Sequence, residues 1–403
     1  MRVDYAQLAL SSAVLRRQSD EHVPAMVAYV KSHSVLTPSD TGIILLPFTG
    51  ISLAVSVVGV EILEGLGTVL RTAADKVDGA AAAYAAQEQR TYEAAAQAMR
   101  SIGAGVPPFA DPRAGGPTLP AAAGGAPAGH GDAEPWLFGQ AYDAGKGLVT
   151  GTRGIVEDIS SAADSWGRGP TGVIERQDPS SYLVTPNAAK SEIESMRWGA
   201  GPLLGGVDWV FEQVAGFSLL EDVIMKPFAG DWTGIEEVSL AWQHLGQASR
   251  AMADNAAGLV EQGEFWDGEA GLAFRGGMVA LGTTMYGVGA ACDSVSGTVG
   301  TLVIVSKAGA ATIGFILNKI SVKLLRIAAE AAIPIAGWIV AAVEGAILVT
   351  EVFSLVRLIY TVVDTIFDAI EGAVQARAQL VETLLLVEDL MQFLVNTGER
   401  YAR

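Results

Sequence analysis

A single cysteine, Cys292, stands in 403 residues, so no disulfide can form within the chain and its stability has to come from packing. Histidine is nearly as scarce: His22, His33, His130 and His244 are scattered without the short spacings of zinc ligands, so neither a metal nor any other cofactor is expected. Positive charge is also in short supply. Lys and Arg number 26 against 44 Asp and Glu, a formal net charge of -18, and no basic patch interrupts the excess; nucleic acid is not an expected partner. Aromatics make up only 7%, which argues against the aromatic and β-branched alternation of a sheet core. Asp4, Gln7, Ser11 and Ser12 break up the first segment, so no secretory signal is expected there.

What is abundant is apolar, small and helix-compatible. Half of the residues are hydrophobic, enough for a large core and two or three domains, and the fold class expected is all-α. Leu8, Ser12, Leu15, Ser19, Val23, Met26 and Val30 recur at threes and fours, which is one face of a helix with a kink expected at Pro24. Thr37-Pro38-Ser39-Asp40 stops it. A turn at Pro47-Phe48-Thr49-Gly50 is expected to lead into a second helix with Leu53, Val57, Val60, Leu63, Leu70, Val77 and Tyr84 on its inner face. Residues 1–100 thus read as an antiparallel helical hairpin.

Proline and glycine supply more than a third of residues 101–135, the composition of a flexible linker. Residues 136–204 read as a mixed helical and turn segment, with glycines at 145, 147, 151 and 154 that weaken a helix unless another backbone approaches closely. A second hairpin is expected over 205–298. Val238, Trp242, Leu245, Ala248, Met252 and Leu259 form its first face, Trp266-Asp267-Gly268 its turn, and Leu272, Phe274, Met278, Leu281 and Met285 the returning helix. Glycines 276, 277, 282, 287 and 289 in that helix invite a close neighbour.

Residues 299–403 form a long apolar helical region. Bilayer-spanning runs of roughly 20 apolar residues are interrupted by Lys307, Lys319, Glu330, Pro334, Glu344 and Glu351. Glu330, Glu344 and Glu351, and likewise Arg357, Asp364 and Glu371, recur at multiples of seven, giving narrow polar stripes on an apolar cylinder. A protein core and a lipid environment with a wet interior both fit that pattern.

The motifs concern recognition rather than chemistry. Trp266 and Gly268 at a turn between two long amphipathic helices resemble the WxG-type proteins of type VII (ESX) secretion. Tyr84-Ala85-Ala86-Gln87-Glu88, late in the first hairpin, is similar to the Tyr-x-x-x-Asp/Glu signal of such substrates; at i and i+4 the phenol and carboxylate share a helix face. Residues 1–100 resemble the EspC-like branch, with Phe48 and Gly50 standing where the turn tryptophan and glycine would be, and 205–300 resemble the WxG branch. The resemblance implies that the turn tryptophan packs over the ends of both helices and that the glycine permits a tight backbone. Trp232-Thr233-Gly234 lies before a helix and reads as a cap. Tyr360-Thr361-Val362-Val363-Asp364 fits the signal pattern but is expected in the core.

No catalytic residue is expected. Cys292 has no histidine near it in sequence, no nucleophile has a visible base, and the glycine-rich segment lacks the Lys-Ser/Thr of a phosphate loop. The function implied is that of a type VII secretion substrate or effector, acting through helical contacts and exported through Tyr84 and Glu88. Its expected partners are the type VII ATPase and a small WxG-type helical protein. The alternative is a membrane-associated pore or channel formed by the C-terminal helices, with bilayer contact and homo-oligomerisation.

Overall fold

A computed structural model describes residues 3–132, 173–188, 232–261 and 266–331, with helical positions scattered between 354 and 392. The chain is all-α: the described residues contain no strand, only two isolated bridges, Val3 with Trp266 and Gly124 with Gln177. Most of 136–204, and the apolar stretch containing Glu344 and Glu351, lie outside the described residues.

Helix α1 (Tyr5–Arg17) starts at Asp4, whose carboxylate accepts from the Ala6 and Gln7 amides, leaving fewer unpaired N–H groups at the helix start. It passes through a π turn at Gln18–His22 into α2 (Val23–His33). Pro24 is the reason: it lacks an N–H and its ring crowds the carbonyl four residues back, and a π turn, in which the Val23 amide reaches Gln18 O, widens the helix there. All seven residues of the face read from the sequence, Leu8 through Val30, are buried.

The first reversal is at Ser34–Thr37, and Phe48-Thr49-Gly50 is not a turn. Helix α3 (Pro38–Ser101) runs through Pro47 and Phe48 without a break. Pro38 disfavours a helical Thr37 yet suits the first position of the new helix. Hydroxyls fasten the turn: Ser34 Oγ donates to Val30 O at 2.6 Å and lies 3.1 Å from Ser56 Oγ, while Ser52 Oγ accepts from the Leu36 amide. Phe48 is a core residue, and the space over Gly50 is open. The inner face of α3 also differs at its start, for Leu53 and Val57 are exposed while Val55 and Ile62 are buried.

Helix α4 (Trp232–Glu261) returns as α5 (Glu269–Ala331), and these two make the most extensive helix pair. Val238, Trp242, Leu245, Ala248, Met252 and Leu259 are all buried, as are Met278, Leu281 and Met285; Leu272 faces out. Of the glycines expected to admit a neighbour, Gly289 does so: a Cβ there would sit 3.1 Å from Gly246 O of α4, whereas Gly276 and Gly287 face open space. Trp232 opens α4 as its first residue.

The two hairpins share one core rather than standing apart. Trp242 of α4 docks on Gly59 of α3, where a Cβ would come within 2.9 Å of the indole. Leu380, Val387 and Leu390, from helical positions near the C-terminus, join the same core, while Arg357, Asp364 and Glu371 are exposed. Tyr360 is exposed too, 67% of its surface being accessible, and so does not belong to the core where the sequence placed it. Two helical segments, Phe48–Ser101 and Glu269–Ile304, are long and apolar enough to cross a bilayer.

The segment read as a flexible linker carries no helix after Ser101 but is tied down. Leu119 and Pro120 carbonyls accept from the Arg17 guanidinium, the Ala123 amide donates to Glu175 O, and Asp178 donates to Gly124 O. Residues 173–188 run beside it as a strap across the helices. Asn255 of α4 holds the strap by accepting from the Arg176 and Gln177 amides and donating to Gln177 O.

Candidate recognition site at the Trp266 turn

Trp266 is 3% exposed at the bend between α4 and α5. The bend needs glycine twice. Gly268 has φ +92°, a conformation that side chains with a Cβ disfavour. At Gly271 a Cβ would lie 2.0 Å from Trp266 O, so the first turn of α5 closes onto the tryptophan backbone. The Leu272 amide donates to Gly268 O, and Arg275 donates to Trp266 O at 3.2 Å.

Trp266 meets the other half of the chain. Its indole Nε1 donates to the Tyr84 hydroxyl at 3.3 Å, and the two rings stand edge to face with centroids 6.4 Å apart. Phe274 covers another side at 5.6 Å. The backbone of Val3 bridges to Trp266, which brings the N-terminus to the same corner. Edge-to-face aromatic packing and a satisfied indole N–H both favour this arrangement.

One turn along α3, exposed Glu88 accepts from the Tyr5 hydroxyl at 2.9 Å. Tyr5 is pushed up to about 12 by burial first and then by the hydrogen bond and negative charge of Glu88, since both disfavour a phenolate. The sequence-read residues Tyr84, Glu88, Trp266 and Gly268 therefore lie in one corner. Phe48 and Gly50 do not; they sit far along α3 from Tyr84. Chemically the corner is a packed aromatic cluster, with Trp266 buried, beside one exposed carboxylate, Glu88.

A second polar cluster was invisible in the sequence. Glu175, on the strap, is fully buried; it accepts from Arg17 Nη1 at 2.6 Å and pairs with His22 Nε2 at 2.9 Å. The other ring nitrogen of His22, Nδ1, lies 2.6 Å from Ser180 Oγ. Asp178-Pro179-Ser180 does read as a turn, and Asp178 caps a short 3-10 turn by accepting from the Ser180 amide. Nothing local signals that this turn meets a histidine 158 positions away. His130 and His244 also reach the strap, at Tyr182 O and Val184 O. Cys292 is buried. Among the described residues no group of His, Cys, Asp and Glu is arranged to hold a metal ion.

No protein-family model, curated protein or solved structure matches the chain.

Proposed function

We propose that this chain is a type VII secretion substrate that acts by protein contact and is recognised at the corner formed by Tyr84, Glu88 and Trp266. The observation that carries the reading is the contact of two short motifs. The Tyr-x-x-x-Glu segment and the Trp-x-Gly turn stand 182 positions apart and meet at 3.3 Å. A receptor can then read both from one folded chain, with Glu88 exposed as the charged contact and the aromatic pair fixing its position. The machinery's ATPase is the first partner, and a small WxG-type helical protein is a second that would pack on the apolar helix faces.

The test is the distribution of tagged chain between medium, membrane and cytosol, in the source cell with and without its type VII ATPase. An extracellular pool that depends on the ATPase is the expected result; a pool of the same size without it contradicts the reading.

A second reading is favoured by the two helical segments long and apolar enough to cross a bilayer, and by the exposed Leu46, Leu53 and Val57 on α3. In it the chain associates with membranes and forms a pore or channel. Release of an encapsulated dye from liposomes supports it, and intact liposomes at saturating protein remove it.

A further inference from the structure

We propose that Ser180, His22 and Glu175 form a nucleophile–base–carboxylate relay, and that Ser180 is a site of acyl transfer from carboxylic esters. Three side chains from two distant segments are in register: Ser180 Oγ to His22 Nδ1 at 2.6 Å, and His22 Nε2 to Glu175 Oε1 at 2.9 Å. This is the arrangement that nucleophilic catalysis needs, a hydroxyl on a base that a third group orients. The ring nitrogens exchange roles relative to the serine-protease template, which changes the handedness of the relay and not its logic.

The hydrogen-bond pattern sets the tautomer of the neutral imidazole. A carboxylate already paired with Arg17 has no proton to offer, so His22 Nε2 carries the hydrogen and donates it to Glu175. Nδ1 is then a bare lone pair, and the Ser180 hydroxyl must donate to it. The serine oxygen is left with its lone pairs available for attack. Asp178 Oδ1, 3.8 Å from Nδ1, adds a second negative group to steady an imidazolium.

Burial is graded in the useful direction. Glu175 and His22 are buried, while Ser180 keeps part of its surface in solvent. The strap does not depend on the Ser180 hydroxyl for its anchoring. Gln7 Oε1 takes the Val173 amide, Asn255 takes the Arg176 and Gln177 amides, Gly124 O takes the Asp178 amide, and Arg176 pairs with Glu261. These contacts preorganise the relay. The base also sits on a π turn, a local distortion frequent at functional sites.

The chemistry balances with water alone. Ser180 Oγ bonds to the ester carbonyl carbon as its proton passes to His22 Nδ1. The C–O bond to the alcohol portion breaks, and the departing oxygen takes that proton and leaves as the alcohol. Water then adds to the acyl-serine, again giving a proton to Nδ1. The acyl C–Oγ bond breaks, Oγ recovers the proton, and the carboxylic acid is released. Glu175 stabilises the imidazolium in both halves.

The experiment is labelling of the full-length protein with a fluorophosphonate probe, mapped by peptide mass spectrometry and timed across pH. One adduct on Ser180 is expected, lost in Ser180→Ala. His22→Gln, checked for native helix content, should slow it by about 100-fold or more, the scale of a positioned general base. The rate should be higher at alkaline than at acid pH, as general-base assistance requires. No adduct on the folded wild-type chain, labelling unchanged in Ser180→Ala or in folded His22→Gln, or a pH-independent rate would each overturn the proposal. Ser180 lies outside the Trp266 corner, so failure here leaves the export reading untouched.

Discussion

The Trp266 indole donates a hydrogen bond to the Tyr84 hydroxyl at 3.3 Å, with the two rings edge to face. This contact pins the bend of the α4–α5 hairpin to α3, and so couples a candidate recognition surface to the packing of the two halves. Replacing Trp266 by alanine is expected to destabilise the chain by about 3–5 kcal/mol, as for other buried large aromatics. Tyr84→Phe keeps the ring and removes only the acceptor, and should lose about 0.5–1.5 kcal/mol. Denaturant unfolding followed by circular dichroism measures both, and equal losses would contradict the packing described.

Glycines near the bend should behave oppositely to those on the open face of α5. In Gly271→Ala the new methyl would meet Trp266 O at 2.0 Å, so the backbone has to shift and a loss of about 1–3 kcal/mol is expected. A Cβ at Gly287 would have nothing within 4 Å and the residue lies mid-helix, so Gly287→Ala should gain about 0.5–1 kcal/mol. Thermal melts of the two variants check the contrast, and a matching sign would refute it.

The same packing explains which faces are legible in the sequence. Charged and polar residues frame the faces of α1, α2 and α4, so a period near 3.6 stood out and every residue assigned to those faces is buried. Between Asp40 and Glu61 there is no charge at all, and an apolar run without contrast gives no face. The pattern therefore points to a turn at Phe48 and an inner stripe at Leu53 and Val57, whereas Thr37-Pro38 marks both the stop and the restart. Tyr84, Glu88 and Trp266 were legible as motifs, but their meeting depends on how two hairpins pack, which no local pattern encodes. The Ser180–His22–Glu175 cluster was hidden for the same reason.

Tyr5 gives a pH signature. In the folded chain burial and the neighbouring Glu88 push its phenol up to about 12, against about 10 for a free phenol. Between those values the unfolded chain ionises while the folded chain keeps its proton. The folded state then binds more protons than the unfolded one, and stability falls as pH rises through that window. Glu88→Gln removes the anion but not the burial, so the phenol should move only part of the way back. Ultraviolet titration of the single variant Glu88→Gln beside wild type, with Tyr5→Phe to assign the signal, reads this directly; an unmoved titration would show that the pair is not formed.

Among the described residues Glu175 is expected to be the most sensitive carboxylate. Removing it by Glu175→Ala leaves Arg17, partly buried, without its counter-charge and the buried His22 Nε2 without its acceptor, and breaking a buried pair in this way costs about 3–5 kcal/mol. Arg113→Ala, at the exposed pair with Asp111, should change stability far less. Comparable losses in the two variants would mean that the strap is not docked as described.

Export of Tyr84→Ala, Trp266→Phe and the double variant, scored as extracellular chain against an ATPase-deficient strain, tests the composite site most directly. Both single variants should fall toward the ATPase-deficient level while remaining folded in the cytosol, and the double variant should be no worse than the poorer single one, because the buried Trp266 acts by holding Tyr84 in place. Wild-type export of either folded single variant would contradict the composite site.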